Sequence, residues 1–283
     1  MSRPLPVVGL DPKSRGVMRQ FHKMHGLGND FVVLDAREQP VAMTPAVAKG
    51  IADRRTGVGC DQLILLEPSS VADLKMRIWN HDGGEVESCG NASRCVVALT
   101  GARRIETAGG IVEGLADGSD VEVALPPPRF EWDAIPLAYP MDTTALPMAW
   151  DELAQPMAVN VGNPHLVFFV DEVDEERLRE LGSRIEIDPA FPERINVNVT
   201  AVTEEGLVLR TWERGAGLTL ACGTGACATA VAAIVQKKAT SPVRVTMKGG
   251  SLTIAWARGE PIRMSGAATH VFTGEIDLES FAR

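Results

Sequence analysis

The sequence predicts an α/β fold, more closely α+β with mixed and mostly antiparallel sheets, made of two pseudo-symmetric domains. Short apolar runs alternate with helix-like segments and glycine turns along the 283 residues. A set of short motifs occurs twice in the same order. A proline-dense segment, residues 126–140, lies near the middle of the chain and marks the best boundary between two halves.

Four pairs of motifs define the repeat. They are Gly28-Asn29 with Gly162-Asn163, Trp79 with Trp212, Cys89-Gly90 with Cys222-Gly223, and Gly109-Gly110 with Gly249-Gly250. The two members of each pair are separated by 133 to 140 positions. Because the four matches share one order and nearly one offset, we infer an internal duplication in which each half presents one Cys-Gly at the start of a helix.

In the first half, apolar runs predict the strands, and glycine-rich segments place the turns between them. Thr44-Pro45 predicts a helix start, since proline is tolerated in the first helical turn, and this helix is expected to run to about Arg55. A second helix is expected from about Ala92 to Thr100. The predicted strands are residues 19–24, 31–35, 63–67 and 75–79, followed by three strands within 104–125 joined by turns at Gly109-Gly110 and Asp117-Gly118.

The second half follows the same order. Its predicted elements are a strand at 166–170, an acidic helix at 171–182, a strand at 207–212, strands at 243–247 and 251–257, and a last pair of strands. Residues 211–231 are interpreted as strand, tight turn and helix, which places Cys222 at or next to a helix N-terminus.

Three segments make up the predicted domain organisation. The N-terminal domain is expected to comprise residues 18–126 together with the C-terminal segment 266–283, and the C-terminal domain residues 127–265. Residues 1–17 are expected to be a mobile extension, since a second methionine, Met18, precedes the first patterned strand.

Composition and charge narrow the class of function. A hydrophobic content of 45% and a charged content of 23% are ordinary for a soluble globular protein, and a net charge of −9 predicts no nucleic-acid partner. Residues 215–236 carry no charge, but their glycines and threonines argue against a membrane helix, so no membrane partner is expected. Five cysteines with no CxxC pair indicate free thiols in a reducing, cytoplasmic compartment. The sequence shows no metal-ligand cluster and no lysine motif for pyridoxal phosphate, so neither a metal nor a cofactor is expected.

Cys89 and Cys222 are the candidate reactive groups. At a helix N-terminus, unpaired backbone N–H groups and the positive end of the helix dipole both favour a thiolate. Two similar halves that face each other would place one such thiol on either side of a shared cleft. Two acid/base groups on opposite faces of one carbon remove a proton from one face and deliver a proton to the other, which inverts a stereocentre.

Six motifs, in this order, resemble those of the diaminopimelate epimerase family: HGLGNDFVVLD, GCDQL, NHDGGEVESCGN, VGNPH, RINV and WERGAGLTLACGTGACA. The resemblance extends from about residue 19 to the C-terminus. It implies a cofactor-independent, two-base epimerase that interconverts LL- and meso-2,6-diaminopimelate in bacterial lysine and cell-wall synthesis. It also implies that each domain is a strand layer curled around a central helix, and that the protein is a homodimer.

The resemblance assigns a role to each matching residue. Cys89 and Cys222 would form the base/acid pair, and His165 and Glu213 would tune their pKa values. The remaining cysteines, Cys60, Cys95 and Cys227, are expected to be buried small hydrophobic residues. The backbone N–H groups that would hold the reacting carboxylate belong to Gly90, Asn91, Gly223 and Thr224. The substrate-binding side chains would be Asn29, Gln62, Asn80, Asn163, Asn196, Glu213, which would take an ammonium group, and Arg214, which would take the distal carboxylate.

Three other functions stay open on the residues alone. A proline or hydroxyproline racemase would share the fold, although it is not expected to keep the WERGAG motif that would hold a distal carboxylate. A thiol-redox protein would also bring two cysteines to one cleft. A dinucleotide enzyme is disfavoured, because the Gly223-x-Gly225-x-x-Ala228 spacing is followed by no acidic residue near position 248 and by no βαβ unit.

Overall fold

A computed structural model describes residues 18–87, 89–117 and 120–281. The predicted extension at residues 1–17, the turn residue Gly118 and the last two residues of the predicted C-terminal segment lie outside these ranges. In the described part of the chain, no helix is both long enough and apolar enough to cross a membrane.

The first half is a series of strands interrupted by two helices. In chain order these are β1 (Met18–Gly26), β2 (Asn29–Asp35), α1 (Pro45–Ala52), β3 (Gln62–Glu67), β4 (Leu74–Asn80), β5 (Glu85–Val86), α2 (Gly90–Thr100), β6 (Arg104–Thr107), β7 (Gly110–Asp117) and β8 (Asp120–Leu125).

The second half repeats this series after a small separate hairpin of two short strands. In chain order the elements are β9 (Ala149–Trp150), β10 (Leu153–Ala154), β11 (Met157–Asn160), β12 (Pro164–Val170), α3 (Glu175–Glu186), β13 (Asn196–Thr203), β14 (Gly206–Glu213), β15 (Gly217–Leu218), α4 (Gly223–Val235), β16 (Val243–Met247), β17 (Gly250–Ala255), β18 (Ile262–Ala267), β19 (Thr269–Asp277) and a 3-10 turn at Leu278–Phe281.

Strand pairing recurs from one half to the other. In the first half β1–β2 is antiparallel, β2–β3 parallel, β3–β4 antiparallel, β4–β6 parallel, and β6–β7–β8 antiparallel. The same sequence of directions joins β11, β12, β13, β14, β16, β17 and β18. The register also corresponds, since Phe31 lies opposite Gln62 and His165 lies opposite Asn196. The predicted α/β fold with two pseudo-symmetric halves is therefore confirmed.

The helices that follow the two Cys-Gly motifs form the interior. α4 packs against β11, β12, β13, β14, β16, β17 and β18 and is buried along most of its length. Its sequence, GTGACATAVAAIV, is dominated by small residues because strands surround it on several sides. α2 packs in the same way against β1, β2, β7 and β8, and both helices contribute to one continuous hydrophobic core.

α1 and α3 lie on the outer face of the strand layers, each over a core of its own. The strands between an inner and an outer helix are apolar on both faces, as in the run Leu63–Leu66 of β3. The prediction for α3 was wrong by four residues at each end. The helix starts after Asp174, whose carboxylate caps it by accepting the Arg177 N–H at 3.0 Å, so the preceding acidic residues remain outside.

α1 and α2 also differ from their predicted limits. α1 ends at Ala52 rather than near Arg55, because Asp53 adopts an extended conformation and its carboxylate accepts the N–H groups of Arg55 and Thr56. α2 starts at Gly90, two residues earlier than predicted, directly after Cys89.

The C-terminal strands join the two halves. β18 pairs with β17 on one side and with β8 on the other, and β19 pairs along β1, with Met18 opposite Asp277. The last described strand therefore lies in the sheet of the first half. The domain limits at residues 126 and 266 stay a prediction, and the limit at 266 falls within β18.

Candidate active site

Cys89 and Cys222 occupy the same position at the starts of two helices. Both are N-cap residues with extended backbone conformation, at φ −151° for Cys89 and φ −121° for Cys222. Their carbonyl oxygens accept the first helical N–H groups, from Ser93 and Ala226, each at 2.9 Å. An N-cap side chain lies over the free N–H groups of the first turn, so each sulfur atom is placed where a negative charge is stabilised.

The two helix starts approach each other closely around Met264 of β18. A Cβ atom built on Gly90 would lie 2.6 Å from the Met264 Cε, and one built on Gly223 would lie 3.3 Å from its Sδ and 3.4 Å from the Asn91 Oδ1. Glycine at both positions is thus what allows the first turns of α2 and α4 to meet. The charge of the Glu213 carboxylate raises the pKa of both Cys89 and Cys222.

Cys89 lies beside the turn between β1 and β2. Its Sγ–H points to the Asn29 Oδ1 at 3.9 Å, and the same oxygen accepts from the Asn91 Nδ2 at 3.3 Å. Burial raises the pKa of the Cys89 thiol, whereas the backbone N–H groups of Ala92 and Asn91 and the charge of Arg94 lower it.

Cys222 is more deeply enclosed, with only 4% of its surface exposed. Its Sγ accepts the Gly225 N–H at 3.3 Å and lies 3.5 Å from the Thr224 Oγ1. Burial first, and then the Glu213 carboxylate, raise the pKa of Cys222 well above its ordinary value. Burial also raises the pKa of Glu213, whose carboxylate accepts a hydrogen bond of 2.5 Å from the Thr219 hydroxyl.

Gln62 and Asn80 form a pair at the ends of adjacent strands. The Gln62 Nε2 donates to the Asn80 Oδ1 at 2.9 Å, and the Gln62 Oε1 is buried with no partner in the described part of the chain. Asn29 is linked to the same region, because its Nδ2 donates to the carboxylate of Asp61, the neighbour of Gln62, at 3.2 Å. These amide groups therefore form one polar cluster at the edge of the first half.

Asn196 and Arg214 form the corresponding cluster in the second half. The Asn196 Nδ2 donates to the Pro164 carbonyl, and its Oδ1 accepts the Arg214 N–H, both at 2.9 Å. The Arg214 side chain is exposed and donates to the Glu193 carbonyl at 2.9 Å. It has no carboxylate partner among the described residues, so its planar fork is available to a carboxylate ligand.

His165 is fully buried between two asparagines. The Asn198 Nδ2 donates both to the Leu166 carbonyl at 2.8 Å and to the His165 Nδ1 at 3.1 Å, so the Nε2–H of His165 donates to the Asn163 Oδ1 at 2.8 Å. Burial first, and then the charge of Arg214, lower the pKa of His165 to about 3. In these hydrogen bonds the neutral ring orients the Asn163 side chain, and neither ring nitrogen bonds to a thiol.

Several residues of this region were missed by the sequence analysis. The carboxylate of Glu186, which is nearly buried, accepts from the Trp212 indole at 2.8 Å and from the Gly215 N–H at 3.0 Å, so it fixes the loop after β14. Arg94 is buried in α2 and donates to the Asn91 Oδ1 at 2.7 Å. The one signal for Arg94 was a single charge within an otherwise uncharged helix. Cys60, Cys95 and Cys227 are buried, as predicted.

Solved structures of low sequence identity share this fold. A hydroxyproline epimerase from Agrobacterium vitis with bound trans-4-hydroxy-L-proline matches with a TM-score of 0.64 at 15% identity, covering 92% of each chain. A PhzF-family phenazine biosynthesis protein from Enterococcus faecalis matches with a TM-score of 0.66 at 14% identity, covering 92% of this chain and 99% of that chain. The fold thus places the chain in the class of two-domain α/β proteins to which these structures belong.

Sequence comparison identifies the family within this class. The family profile described as Diaminopimelate epimerase matches residues 21–124 and 157–271. Relatives named diaminopimelate epimerase are 65% identical over 265 residues in Rhizorhabdus wittichii and 63% identical over 264 residues in Sphingopyxis alaskensis. These alignments cover 93% of this chain and 97% and 98% of the relatives. The chain belongs to the diaminopimelate epimerase family, and the resemblance inferred from the six motifs is confirmed.

Proposed function

We propose that this protein interconverts LL-2,6-diaminopimelate and meso-diaminopimelate without a cofactor, as a step of lysine and peptidoglycan synthesis. The observation that carries this proposal is the meeting of two cysteine-capped helix starts, at Gly90 and Gly223, in one buried environment. The names of relatives up to 65% identical support the choice of substrate.

In the proposed reaction, one cysteine is a thiolate and the other a thiol. The thiolate removes the α-proton from one face of the substrate, and the thiol delivers a proton to the opposite face. Negative charge passes to the carboxylate as the α-proton leaves, and it is stabilised by the free N–H groups at the two helix starts. Those groups belong to Gly90, Asn91, Gly223 and Thr224. Cys222 is buried and Cys89 is half-buried, which limits the access of water to the proton transfer.

The polar clusters around the thiols supply the remaining substrate contacts. Diaminopimelate carries two carboxylates and two ammonium groups, so its site needs a second anion partner and an acidic or carbonyl partner. Arg214 would bind the distal carboxylate, and Glu213 would bind an ammonium group. Orientation would come from the amide side chains of Asn29, Gln62, Asn80, Asn163 and Asn196, with His165 holding Asn163 in place.

Purified protein with no added cofactor tests this function. LL-diaminopimelate should be converted to the meso isomer, and in heavy water the product should carry solvent deuterium at the inverted α-carbon. Full retention of the original α-proton would exclude the two-base reaction. Proline and hydroxyproline serve as comparison substrates, and turnover of these alone would assign the protein to a different racemase activity.

We also propose a homodimer in the cytoplasm. Among the described residues β19 pairs with β1 alone, and its Val271 and Phe272 are 53% and 48% exposed. An edge strand with exposed apolar side chains favours pairing with a second copy of the same strand. The cytoplasmic location is supported by five free cysteines, which suit a reducing compartment.

A further inference from the structure

Arg94 is a buried charge with no counter-ion in its surroundings. It lies in α2, five residues after Cys89, and 0% of its surface is exposed. Arginine remains protonated at any physiological pH, and a buried cation is costly unless another group compensates its charge. The part of the chain that the structure describes offers it no carboxylate within ion-pair distance.

The hydrogen bonds of Arg94 leave part of its guanidinium unused. Nη2 donates to the Asn91 Oδ1 at 2.7 Å, and Nη1 lies 3.4 Å from the Met264 Sδ. Nε is buried with no partner among the described residues. The contacts with Asn91 and Met264 place the Arg94 guanidinium next to the point where the two helix starts meet.

The duplication shows that this charge belongs to one half only. The residue five positions after Cys222 is Cys227, so α4 carries a neutral side chain where α2 carries Arg94. The opposite difference holds on the facing strands, where Glu213 in β14 corresponds to Asn80 in β4. The two thiols thus have matching backbone positions, and only the helix that follows Cys89 carries a cation.

We propose that Arg94 is a positioning residue that supplies the buried counter-charge for a thiolate on Cys89, so that the resting enzyme holds Cys89 as thiolate and Cys222 as thiol. This inference rests on the proposed function only in taking the two thiols as the acid/base pair. Through Asn91, the same guanidinium also orients the helix start that would bind the reacting carboxylate.

The charged neighbours of Cys89 act on its pKa in opposite directions, since Arg94 lowers it and Glu213 raises it. Cys89 faces Arg94 and Cys95 on its own helix and Glu213 on β14. Arg94 itself faces Cys227 from α4 as well as Cys89 and Cys95. The helix N–H groups and Arg94 lower the pKa of Cys89 against the effects of burial and of the Glu213 carboxylate, whereas at Cys222 the Glu213 carboxylate is the largest cause after burial and raises the pKa further.

The test measures the alkylation rate of Cys89 by iodoacetamide as a function of pH, in a Cys222→Ala background, with peptide mass spectrometry to identify the modified thiol. Arg94→Gln keeps an N–H donor for Asn91 and removes the charge, whereas Arg94→Lys keeps the charge and loses the fork. We expect the midpoint of the curve of alkylation rate against pH to rise by about one pH unit in Arg94→Gln. This shift is about a tenfold loss of thiolate near neutral pH. Arg94→Lys should stay within about 0.3 units of the parent. Arg103→Gln, which removes an exposed charge just beyond α2, should match the parent.

Equal midpoints in Arg94→Gln and the parent would overturn the proposal. Equal shifts in Arg94→Gln and Arg94→Lys would also overturn it, because they would assign the effect to the hydrogen bond with Asn91. A second measurement leaves Arg94 unchanged: Cys89 in the Cys222→Ala protein should titrate at lower pH than Cys222 in the Cys89→Ala protein, and the reverse order would contradict the proposal. Since alkylation uses no substrate, a failure of diaminopimelate turnover would be recognised separately.

Discussion

At the scale of single residues, the two catalytic candidates differ from the other three cysteines in where the chain places them. Cys89 and Cys222 precede helices, whereas Cys95 and Cys227 lie one turn inside the same helices and Cys60 lies in the outer core of the first half. Burial raises the pKa of Cys95 and of Cys227 to about 12, so these two thiols remain protonated at neutral pH.

This difference predicts the outcome of cysteine replacement. Cys89→Ala and Cys222→Ala should each reduce epimerisation by at least about a thousandfold, because each change removes one of the two proton-transfer groups. Both variants should fold, since alanine replaces a small side chain. Turnover of LL-diaminopimelate and circular dichroism measure the two effects. Cys60→Ala is the matched control and should keep its activity, and normal turnover in either catalytic variant would refute the mechanism.

His165 makes the stability of the protein depend on pH. Its folded-state pKa of about 3 lies below the ordinary value of 6.5, so between these values the unfolded chain binds a proton that the folded chain does not bind. The stabilisation due to the neutral ring is complete above about pH 6.5 and is lost as the pH falls toward 3. Urea unfolding should show a weaker loss of stability on acidification in His165→Gln than in the parent. The same slope in both proteins would show that His165 does not titrate in this way.

The sequence reveals site residues that recur, and it hides residues whose partners come from tertiary packing. Asn29, Asn163 and the two Cys-Gly motifs were visible because the duplication repeats them. Asn198 and Glu186 were not visible, because their roles depend on a histidine in β12 and an indole in β14 that the fold brings to them. For His165, the sequence identified the residue, and the structure shows the atoms that it bonds.

At the scale of elements, the starts of α2 and α4 both lie against the side chain of Met264. A Cβ atom on Gly90 would lie 2.6 Å from the Met264 Cε, the end of a flexible side chain, so Gly90→Ala should destabilise the protein by about 1 kcal/mol, at the lower limit of the cost of overpacking. The added methyl group should also weaken substrate binding, since it stands where the carboxylate would approach. Urea unfolding and steady-state kinetics measure these effects.

A double-mutant cycle tests whether the cost of Gly90→Ala comes from the contact with Met264. In a Met264→Ala background the obstructing Cε is absent, so the same Gly90→Ala change should cost much less than in the parent. Additive costs would mean that Met264 is not the group that limits the approach of the two helices.

The ends of the helices were the features of the fold that the sequence predicted least well. The acidic residues Asp171, Glu172 and Asp174 have the composition of a helical first turn, and the true start depends on which carboxylate accepts an N–H. The positions of the strands along the chain were more accessible, because the two halves repeat the same alternation of apolar runs and turns. The strands of the parallel pairs β2–β3 and β12–β13 are connected through α1 and α3, and this pairing follows from tertiary packing that no local pattern predicts.

At the scale of the whole molecule, the proposed dimer depends on the free edge of β19. Replacing Val271 and Phe272 by aspartate should prevent pairing of the two copies. Charged side chains would then occupy the strand edge that the proposed dimer would bury. Light scattering coupled to size exclusion should report half the parental mass. Val202→Asp, which adds a charge to a residue 48% exposed in the other half, is the control and should leave the mass unchanged. A monomeric parent would refute the dimer itself.

The return of β19 to β1 also sets the order in which the protein is completed during synthesis. The first half emerges from the ribosome before the second half, yet its sheet waits for β19, which is translated after β11 to β18 have emerged as a contiguous set of paired strands. The half that is made first is therefore finished last. Because Met18 and Asp277 are neighbours across the sheet, a short linker between them would allow new ends to be opened elsewhere in the chain.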